Sequence, residues 1–170
     1  MSRNRFPTVT VRHLSGGGPS ATLGIALSTT MTIHPADYKI LVVDDDLDSA
    51  ALLQQHLRAC GYRVNAVKTA AMVLKKVLQE SPSLIVMDLM SPSRAGLRIC
   101  RELTTNAATQ HIPIIMVTSE SDETDKIVAL ELGVDDYVLK PFNLHELSLR
   151  IERSLARAAY NREPAPAHHA

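Results

Sequence analysis

The sequence predicts an α/β fold in which one parallel sheet is wound between two layers of helices. Short apolar runs rich in β-branched residues recur between residues 39 and 140, and segments with apolar residues at helical spacing separate them. Apolar runs with few polar positions are typical of strands that are covered on both faces. Five strands and five helices in strict alternation favour a doubly wound sheet with right-handed crossovers.

The composition limits the class of protein. The chain has 170 residues, 45% of them hydrophobic, which is enough for one domain with tails. Lys+Arg and Asp+Glu balance at 18 each, so we expect no direct nucleic-acid partner and no attraction to a membrane. Cys60 and Cys100 lack metal-ligand spacing, and no run of 18 apolar residues occurs. These features favour a cytoplasmic protein.

The regular pattern occupies only the middle of the chain. Residues 1–36 are rich in Ser, Thr, Gly and Pro, and we expect a disordered N-terminal arm. Translation from Met31 is an alternative that would make this arm an artefact of gene prediction. The domain itself is predicted over residues 37–156. The Ala-, Pro- and His-rich residues 157–170 are predicted to form a flexible tail.

Each strand is predicted from its apolar run and the residues that flank it. Residues 39–43 and 63–67 give the first two strands, the second with alternating apolar and polar positions. Residues 83–88 give a third, nearly all-apolar strand that stops at a carboxylate. Residues 112–118 and 136–140 give the last two strands, and a proline ends the fifth.

Five helices are predicted between and after these strands, with Thr69, Asp122 and Asn143 as N-caps of the second, fourth and fifth. They span residues 48–60, 70–79, 96–103, 123–132 and 144–155. The residues predicted to turn inward include Met72, Val73, Leu74, Val77 and Leu78 in the second helix, Ile127, Val128, Leu130 and Leu132 in the fourth, and Leu144, Leu147, Leu149, Ile151 and Leu155 in the fifth.

The predicted order of the strands brings several chain segments to one edge of the sheet. In the flavodoxin-like order 2-1-3-4-5, the first, third, fourth and fifth strands are consecutive neighbours. Their carboxyl ends carry Asp44 with Asp45, Asp88, Thr118 and Lys140. Ligands bind at this edge in open α/β sheets, so we expect these side chains to form one site.

Three carboxylates at one edge repel one another, and a divalent cation resolves that conflict. Mg²⁺ prefers oxygen ligands, with one or two carboxylates and several waters or phosphate oxygens. We therefore predict a Mg²⁺ site with Asp45 and Asp88 as direct ligands. Asp44 would hold a water, and the Met90 carbonyl would complete the protein's share.

The same edge carries groups suited to a phosphoryl group. Lys140 supplies a cation, Thr118 a hydroxyl donor and Asp88 a nucleophilic carboxylate. Phosphoryl transfer is catalysed mainly by positioning and by neutralisation of charge. The set therefore predicts that Asp88 accepts a phosphoryl group.

Several motifs follow one another along the predicted strand ends. They are Val42-Val43-Asp44-Asp45, Met87-Asp88-Leu89-Met90 with Pro92 and Gly96 beyond, Val117-Thr118-Ser119, and Asp135-Asp136-Tyr137 before Lys140-Pro141-Phe142. Together they resemble the receiver domain of two-component response regulators, over residues 38–155. Each motif alone is weak, but the spacings of 30 residues from Asp88 to Thr118 and 52 to Lys140 fit the family.

The resemblance implies roles for these residues. Asp88 would take a phosphoryl group from a phosphohistidine of a sensor histidine kinase or a phosphotransfer protein, while the two aspartates after the first strand hold Mg²⁺. Thr118 and Lys140 would bind the phosphate, and Tyr137 would follow Thr118 inward. That movement re-forms the surface of the fourth helix, fifth strand and fifth helix for an unknown downstream protein partner. The Lys140–Pro141 bond resembles the family's cis peptide.

Charged residues on that surface carry a second implication. Lys126, Asp136, Glu146 and Arg150 form an ordinary solvated face in one interpretation. Regulators that dimerise through this surface use charges at these positions, and the pairs Lys126–Glu146 and Asp136–Arg150 would then join two chains. The resemblance thus leaves open a phosphorylation-dependent homodimer.

Three functions stay open on the sequence alone. The first is a stand-alone receiver, phosphorelay intermediate or adaptor, which is a phospho-accepting signalling domain rather than an enzyme. The second is the receiver fragment of a larger regulator with an output domain. The third is a phosphatase with an Asp nucleophile. It is disfavoured because haloacid-dehalogenase-type enzymes need a second Asp two residues after the nucleophile, where this chain has Met90.

Overall fold

The computed structural model of the protein describes residues 8–11, 29–90, 93–119 and 123–162. The strands are β1 (Thr8–Val11), β2 (Thr29–Thr32), β3 (Lys39–Val43), β4 (Arg63–Val67), β5 (Leu84–Asp88), β6 (Ile114–Thr118) and β7 (Asp136–Leu139). The helices are α1 (Leu47–Ala59), α2 (Ala70–Glu80), α3 (Ala95–Thr105), α4 (Glu123–Glu131) and α5 (Leu144–Arg162), and a short 3-10 helix covers Pro35–Asp37. None of the helices in these ranges combines the length and the hydropathy that a membrane span requires.

Strands β3 to β7 form one parallel sheet in the order β4-β3-β5-β6-β7. The central strand is β5, where Ile85 pairs with Leu41 of β3 and Val86 pairs with Ile115 of β6. This is the predicted order 2-1-3-4-5, so the doubly wound, flavodoxin-like fold class is confirmed. Strands β3, β5, β6 and β7 are consecutive neighbours, and their carboxyl ends lie at one edge.

The sheet separates two apolar cores. Successive residues of β3 alternate between them, as the pleat of a strand requires. Leu41 and Val43 belong to the core beneath α2, α3 and α4, whereas Ile40 and Val42 belong to the core beneath α1 and α5. All four side chains are fully buried. The acidic residues that follow this strand are therefore carried by a rigid support.

Side-chain caps fix where two of the helices begin. The carboxylate of Asp46 accepts a hydrogen bond of 2.8 Å from the backbone N–H of Ser49 at the start of α1. Asn143 caps α5 by accepting from two backbone N–H groups, which confirms that predicted cap. Thr69 lies at the N-cap of α2 but makes no side-chain capping hydrogen bond. The predicted cap Asp122 lies outside the described residues.

Helix α4 faces the core with a different side from the predicted one. The apolar pattern predicts that Ile127 and Leu130 turn inward, but they are 52% and 49% exposed. Asp125 and Ala129, one helical turn apart, are buried instead, at 1% and 0% exposure. Successive residues of a helix are about 100° apart. A helix that packs Ala129 against the core therefore turns both Ile127 and Leu130 away from it.

Two other helices expose apolar residues that the pattern places inside. Met72 and Leu78 of α2 are exposed, and so is Leu149 of α5. The buried residues of α2 are Val73 and Val77, which lie one turn apart. A helix on the face of a sheet buries only one stripe. Apolar residues beside that stripe therefore reach solvent.

Regular structure also occurs where the sequence predicts an arm and a tail. Strands β1 and β2, within the predicted arm, pair antiparallel with Val9 opposite Met31. Their β-branched residues favour strands. Ile33 follows β2 and is fully buried beneath α1 and α5. Helix α5 continues beyond the predicted boundary at residue 156 to Arg162, through an alanine-rich segment. The remaining parts of the predicted arm and tail lie outside the described residues.

Candidate functional site

The carboxyl edge of the sheet brings together three charged side chains that are distant in sequence. Asp44 follows β3, Asp88 ends β5 and Lys140 follows β7. The ammonium nitrogen of Lys140 lies 2.5 Å from Asp88 Oδ2 and 3.0 Å from Asp44 Oδ2. Three strand ends thus meet in one cluster, as the strand order predicts.

Asp44 is buried and held by several hydrogen bonds. Its Oδ1 accepts a hydrogen bond of 3.0 Å from the backbone N–H of Asp46. Its Oδ2 accepts one of 2.6 Å from the Ser49 hydroxyl, in addition to the contact with Lys140. The next residue, Asp45, is exposed. Of the two predicted metal-binding aspartates after β3, one is therefore fixed inside the cluster and the other faces solvent.

Asp88 is held by the strand behind it and by the loop after it. Its Oδ1 accepts a hydrogen bond of 2.9 Å from the backbone N–H of Met90, while its Oδ2 contacts Lys140. The side chain keeps 13% exposure, so solvent still reaches the carboxylate. The carbonyl of Met90, a predicted metal ligand, accepts a hydrogen bond of 3.0 Å from the Ser93 hydroxyl.

Gly96 keeps the following loop close to the end of β5. Its N–H donates a hydrogen bond of 3.0 Å to the carbonyl of Leu89. A Cβ at this position would lie 2.5 Å from the carbonyl oxygen of Asp88 and 2.9 Å from the Cα of Leu89. Only glycine allows such a close approach of two backbone segments. The lack of room for any side chain therefore explains why glycine occupies this position of the predicted motif.

Two opposing effects act on the pKa of Lys140. Burial alone would lower this pKa, because burial disfavours the charged form. Hydrogen bonds to Asp88 and Asp44, with the negative charges of both, outweigh burial and raise the pKa above its ordinary value. Lys140 is therefore a fixed cation beside the Asp88 carboxylate. Its peptide bond to Pro141 is cis, as the resemblance implies.

Thr118 and Tyr137 lie on the strands beyond Asp88. Thr118 ends β6 and is 1% exposed, and its carbonyl accepts a hydrogen bond of 2.7 Å from the backbone N–H of Lys140. Tyr137 lies in β7 opposite Met116, and its half-buried side chain packs against the core beneath α2, α3 and α4. Thr118 is thus adjacent to the charged cluster, and Tyr137 lies on the neighbouring strand.

The donors at this edge fit a hard cation that takes few protein ligands. Among the residues that the structure describes, no three carboxylate, imidazole or thiolate groups stand close enough to hold a metal by themselves. Mg²⁺ needs only one or two carboxylates besides waters or phosphate oxygens. Asp88 keeps 13% exposure and Asp45 is exposed, so the carboxylate oxygens of both residues are accessible to such an ion.

Sequence reasoning missed one residue of the cluster. Ser49, in the first turn of α1, donates a hydrogen bond of 2.6 Å to Asp44 and accepts one of 3.1 Å from Lys140. A hydroxyl in the first helical turn after an acidic strand end was the available signal. That signal is weak, because such residues more often cap the helix itself.

The residues predicted for a dimer surface lie on α4, β7 and α5. Arg150 contacts Asp136 at 2.6 Å and Glu146 at 2.8 Å within the same chain. Lys126 makes no ion pair with any residue that the structure describes. Four exposed apolar residues also lie on these three elements: Ile127, Leu130, Leu139 and Leu149. The surface therefore combines the exposed cation of Lys126 with apolar side chains.

A parallel sheet of this order with two aspartates and a lysine at its carboxyl edge defines a domain of the receiver class. The family model described as the response regulator receiver domain matches residues 40–152. The chain therefore belongs to the response regulator receiver domain family, the receivers of two-component signal transduction.

Two curated relatives are transcriptional regulatory proteins. The chain is 40% identical over 121 residues to GltR of Pseudomonas aeruginosa, a match that covers 71% of this chain and 50% of that protein. It is 41% identical over 120 residues to the alkaline phosphatase synthesis regulator PhoP of Bacillus subtilis, covering 71% of this chain and 49% of that protein. The chain thus spans about half the length of these relatives.

Solved structures of receivers share the fold. A response regulator from Chloroflexus aurantiacus is 32% identical, with a TM-score of 0.67 over 71% of this chain and 98% of that one. A CheY-like receiver domain from Methanospirillum hungatei is 27% identical, with a TM-score of 0.68 over 73% of this chain and 98% of that one. The similarity therefore extends over nearly the whole of these two receivers.

Proposed function

We propose that this receiver acts as a switch in which Asp88 accepts a phosphoryl group from the phosphohistidine of a sensor histidine kinase or a phosphotransfer protein. The observation that carries the proposal is the Lys140 ammonium, which contacts the carboxylates of Asp88 and Asp44 at the carboxyl edge of the sheet. A lysine in this place orients the acceptor carboxylate and offers a cation to the incoming phosphoryl group.

The transfer needs an in-line attack by an Asp88 carboxylate oxygen on phosphorus. A new oxygen–phosphorus bond forms, the phosphorus–nitrogen bond to histidine breaks, and its electron pair stays on the imidazole ring. Asp88 Oδ1 is held by the Met90 N–H and Oδ2 by Lys140, so the carboxylate is oriented before the donor arrives. The hydroxyl of Thr118, adjacent to the cluster, would donate a hydrogen bond to a phosphoryl oxygen.

Mg²⁺ is the cofactor that these donors favour. Asp45, Asp88 and the Met90 carbonyl would hold it directly, with Asp44 holding one of its waters. When bound, the ion neutralises charge that develops on the transferred group. The buried Asp44, which accepts hydrogen bonds from Ser49 and Lys140, would keep both contacts when the ion is bound.

The proposed output is a change in the surface formed by α4, β7 and α5. Thr118 would move towards the phosphoryl group, and the half-buried Tyr137 would follow it inward. The surface would then bind a downstream protein partner, which includes a second copy of this chain in a phosphorylation-dependent homodimer. Its exposed Lys126 and exposed apolar residues support that use.

A second candidate is that the chain is the receiver portion of a larger regulator. The curated relatives favour this candidate, because they are transcriptional regulators of which the chain spans about half. Binding of nucleic acid would then belong to the rest of the regulator, while the receiver contacts proteins. In both candidates the receiver works in the cytoplasm.

We propose self-phosphotransfer and autodephosphorylation as its only chemistry. A phosphatase with an Asp nucleophile needs an acid two residues later, and this chain has the 4% exposed Met90 there. Methionine has no proton to donate to a leaving group.

Incubation with Mg²⁺ and acetyl phosphate tests the proposed function. We expect one adduct of about 80 Da by intact mass spectrometry, as for any phosphorylation. Asp88→Asn should abolish it, and Asp48→Asn, which changes an exposed carboxylate on α1, should retain it. No adduct on the wild-type chain, or rapid multiple turnover of phosphomonoesters, would contradict the proposal.

A further inference from the structure

The ammonium group of Lys140 has a partner for each of its three N–H donors. Its nitrogen lies 2.5 Å from Asp88 Oδ2, 3.0 Å from Asp44 Oδ2 and 3.1 Å from the hydroxyl oxygen of Ser49. An ammonium group has no further proton to donate. Two carboxylates and one hydroxyl therefore fix the position of this cation.

Ser49 joins the cation to one of these carboxylates. Its hydroxyl accepts from Lys140 and donates to Asp44 Oδ2 at 2.6 Å, so the three side chains form a closed triangle. Asp44 is fully buried, and its other oxygen is taken by the N–H of Asp46. The triangle therefore has little freedom to rearrange.

The backbone of Ser49 is also fixed. It is the third residue of α1, and its N–H donates a hydrogen bond of 2.8 Å to the carboxylate of Asp46, the N-cap of that helix. The start of α1 thus places the Ser49 hydroxyl relative to the sheet edge. Helix α1 and the ends of β3 and β7 are linked through one side chain.

We infer that Ser49 is a positioning residue for phosphoryl transfer to Asp88. Together with Asp44, it accepts hydrogen bonds from two of the three N–H groups of Lys140. The third N–H, which donates to the Asp88 carboxylate, can then donate to an oxygen of the attached phosphoryl group instead. The nitrogen of Lys140 need not relocate during the transfer. This inference rests on the proposed phosphoryl transfer to Asp88.

A purely structural role predicts something different. In that case the Ser49 hydroxyl only satisfies the buried Asp44 carboxylate, and its loss would act independently of Lys140. A positioning role requires the effects of Ser49 and Lys140 to be coupled, because residues of one hydrogen-bonded network are non-additive.

The phosphorylation rate with acetyl phosphate, measured across donor concentrations with saturating Mg²⁺, separates the two roles. We expect Ser49→Ala to lower the maximal rate constant by about threefold to tenfold, the effect of one hydrogen bond. The half-saturating donor concentration should change by less than about twofold, because the hydroxyl acts in the transfer rather than in donor binding. Ser49→Thr, which keeps the hydroxyl, should restore the rate.

Two controls make the result decisive. Ser148→Ala removes another buried serine hydroxyl, 2.9 Å from His56 and outside the cluster, and should leave the rate unchanged. Ser49→Ala should stay folded at the assay temperature, because the helix preference of alanine offsets part of the lost hydrogen bond to Asp44. Added to Lys140→Ala, it should have no further effect on the rate.

An unchanged maximal rate for Ser49→Ala would overturn the inference, and so would an equal loss in the presence and absence of Lys140. Either result leaves the proposed function standing, provided that the wild-type chain forms the adduct and Asp88→Asn does not. Absence of the wild-type adduct would instead refute the proposed function itself.

Discussion

Arg150 Nη1 donates a hydrogen bond of 2.6 Å to Asp136 Oδ2 within one chain and so ties α5 to β7. The same guanidinium donates to Glu146 at 2.8 Å. The family resemblance leaves open Asp136–Arg150 and Lys126–Glu146 as pairs between two chains, but Arg150 already contacts both acids within one chain. A dimer would exchange pairs within a chain for pairs between chains, and such exposed pairs contribute little net free energy. In such a dimer, the exposed apolar residues of this surface would therefore supply most of the binding free energy.

We expect charge reversal at Lys126 to weaken the dimer of the activated chain. With Mg²⁺ and beryllium fluoride as the phosphoryl analogue, Lys126→Glu should raise the dimer Kd by about fivefold, equivalent to about 1 kcal/mol. Glu146→Lys should do the same. The double variant should return towards the wild-type Kd, because the pair re-forms with opposite polarity. Sedimentation equilibrium measures this Kd.

Arg63→Glu is the matched control, since it reverses an exposed charge on β4, away from this surface. Its Kd should equal that of the wild-type chain. A double variant that dimerises no better than the single ones would contradict the Lys126–Glu146 pair.

We expect Gly96→Ala to impair both stability and phosphorylation. The added Cβ would meet backbone atoms of Asp88 and Leu89, which cannot move aside as a flexible side chain can. The free energy of unfolding in urea should fall by about 1–3 kcal/mol. The rate of adduct formation should also fall, because the backbone of Asp88 must shift.

Gly133→Ala separates these two effects. Gly133 has a φ of +88° but no heavy atom within 4 Å of its added Cβ, so only backbone strain of about 1 kcal/mol is expected. It should lose stability and keep the phosphorylation rate. A Gly96→Ala variant that is phosphorylated as fast as the wild-type chain would contradict the steric argument.

The fold and the charged cluster could be predicted because both follow from where the strands lie and where they end. Apolar runs locate the strands, and alternation with helices makes the sheet parallel, so the residues after β3, β5 and β7 must meet at one edge. Asp44, Asp88 and Lys140 therefore lie together in the structure as predicted. No comparable rule acts on Ser49, because its contact depends on how α1 is rotated about its axis.

Helix α4 illustrates the same limit. Its sequence offers more apolar residues than one stripe can bury, so apolar spacing does not decide which side faces the core. The small Ala129 packs inward, and this choice buries the carboxylate of Asp125 while it exposes Ile127. Tertiary packing selects the buried side here, and a single sequence does not reveal that choice.

We expect Glu152→Gln to stabilise the protein at about pH 7. Burial raises the pKa of Glu152 above its ordinary value, although the nearby charge of His145 lowers it in part. A raised pKa means that the fold favours the protonated acid, so the ionised form costs stability at neutral pH. The melting temperature of Glu152→Gln should exceed that of the wild-type chain at about pH 7.

This advantage should fade as the pH falls below the ordinary pKa, where Glu152 is protonated in both the folded and the unfolded state. Glu131→Gln, which changes an exposed acid on α4, is the control and should alter the melting temperature little. A stabilisation by Glu152→Gln that is equally large at about pH 4 would contradict the role of ionisation.

Asp125 places a buried carboxyl group on α4. Its carboxylate is 1% exposed, and neither oxygen has a hydrogen-bond partner among the residues that the structure describes. Arg94, which precedes α3, places Nη1 at 3.3 Å from Asp125 Oδ1. The two side chains therefore form an ion pair whose geometry is not that of a hydrogen bond. A buried carboxylate is costly unless a cation offsets it. This pair therefore links the loop after β5 to α4.

We expect Arg94→Ala to lower the free energy of unfolding in urea by about 1 kcal/mol, because it leaves the Asp125 carboxylate buried without a cation. The loss should stay modest, since Arg94 is itself half exposed and partly screened by solvent. Arg98→Ala, which removes an exposed guanidinium one turn further along α3, should change stability little. In an Asp125→Ala background, Arg94→Ala should cost less than it does in the wild-type chain, because no buried carboxylate remains to be offset. An equal loss from Arg94→Ala in both backgrounds would show that the guanidinium stabilises the fold by some contact other than the one with Asp125.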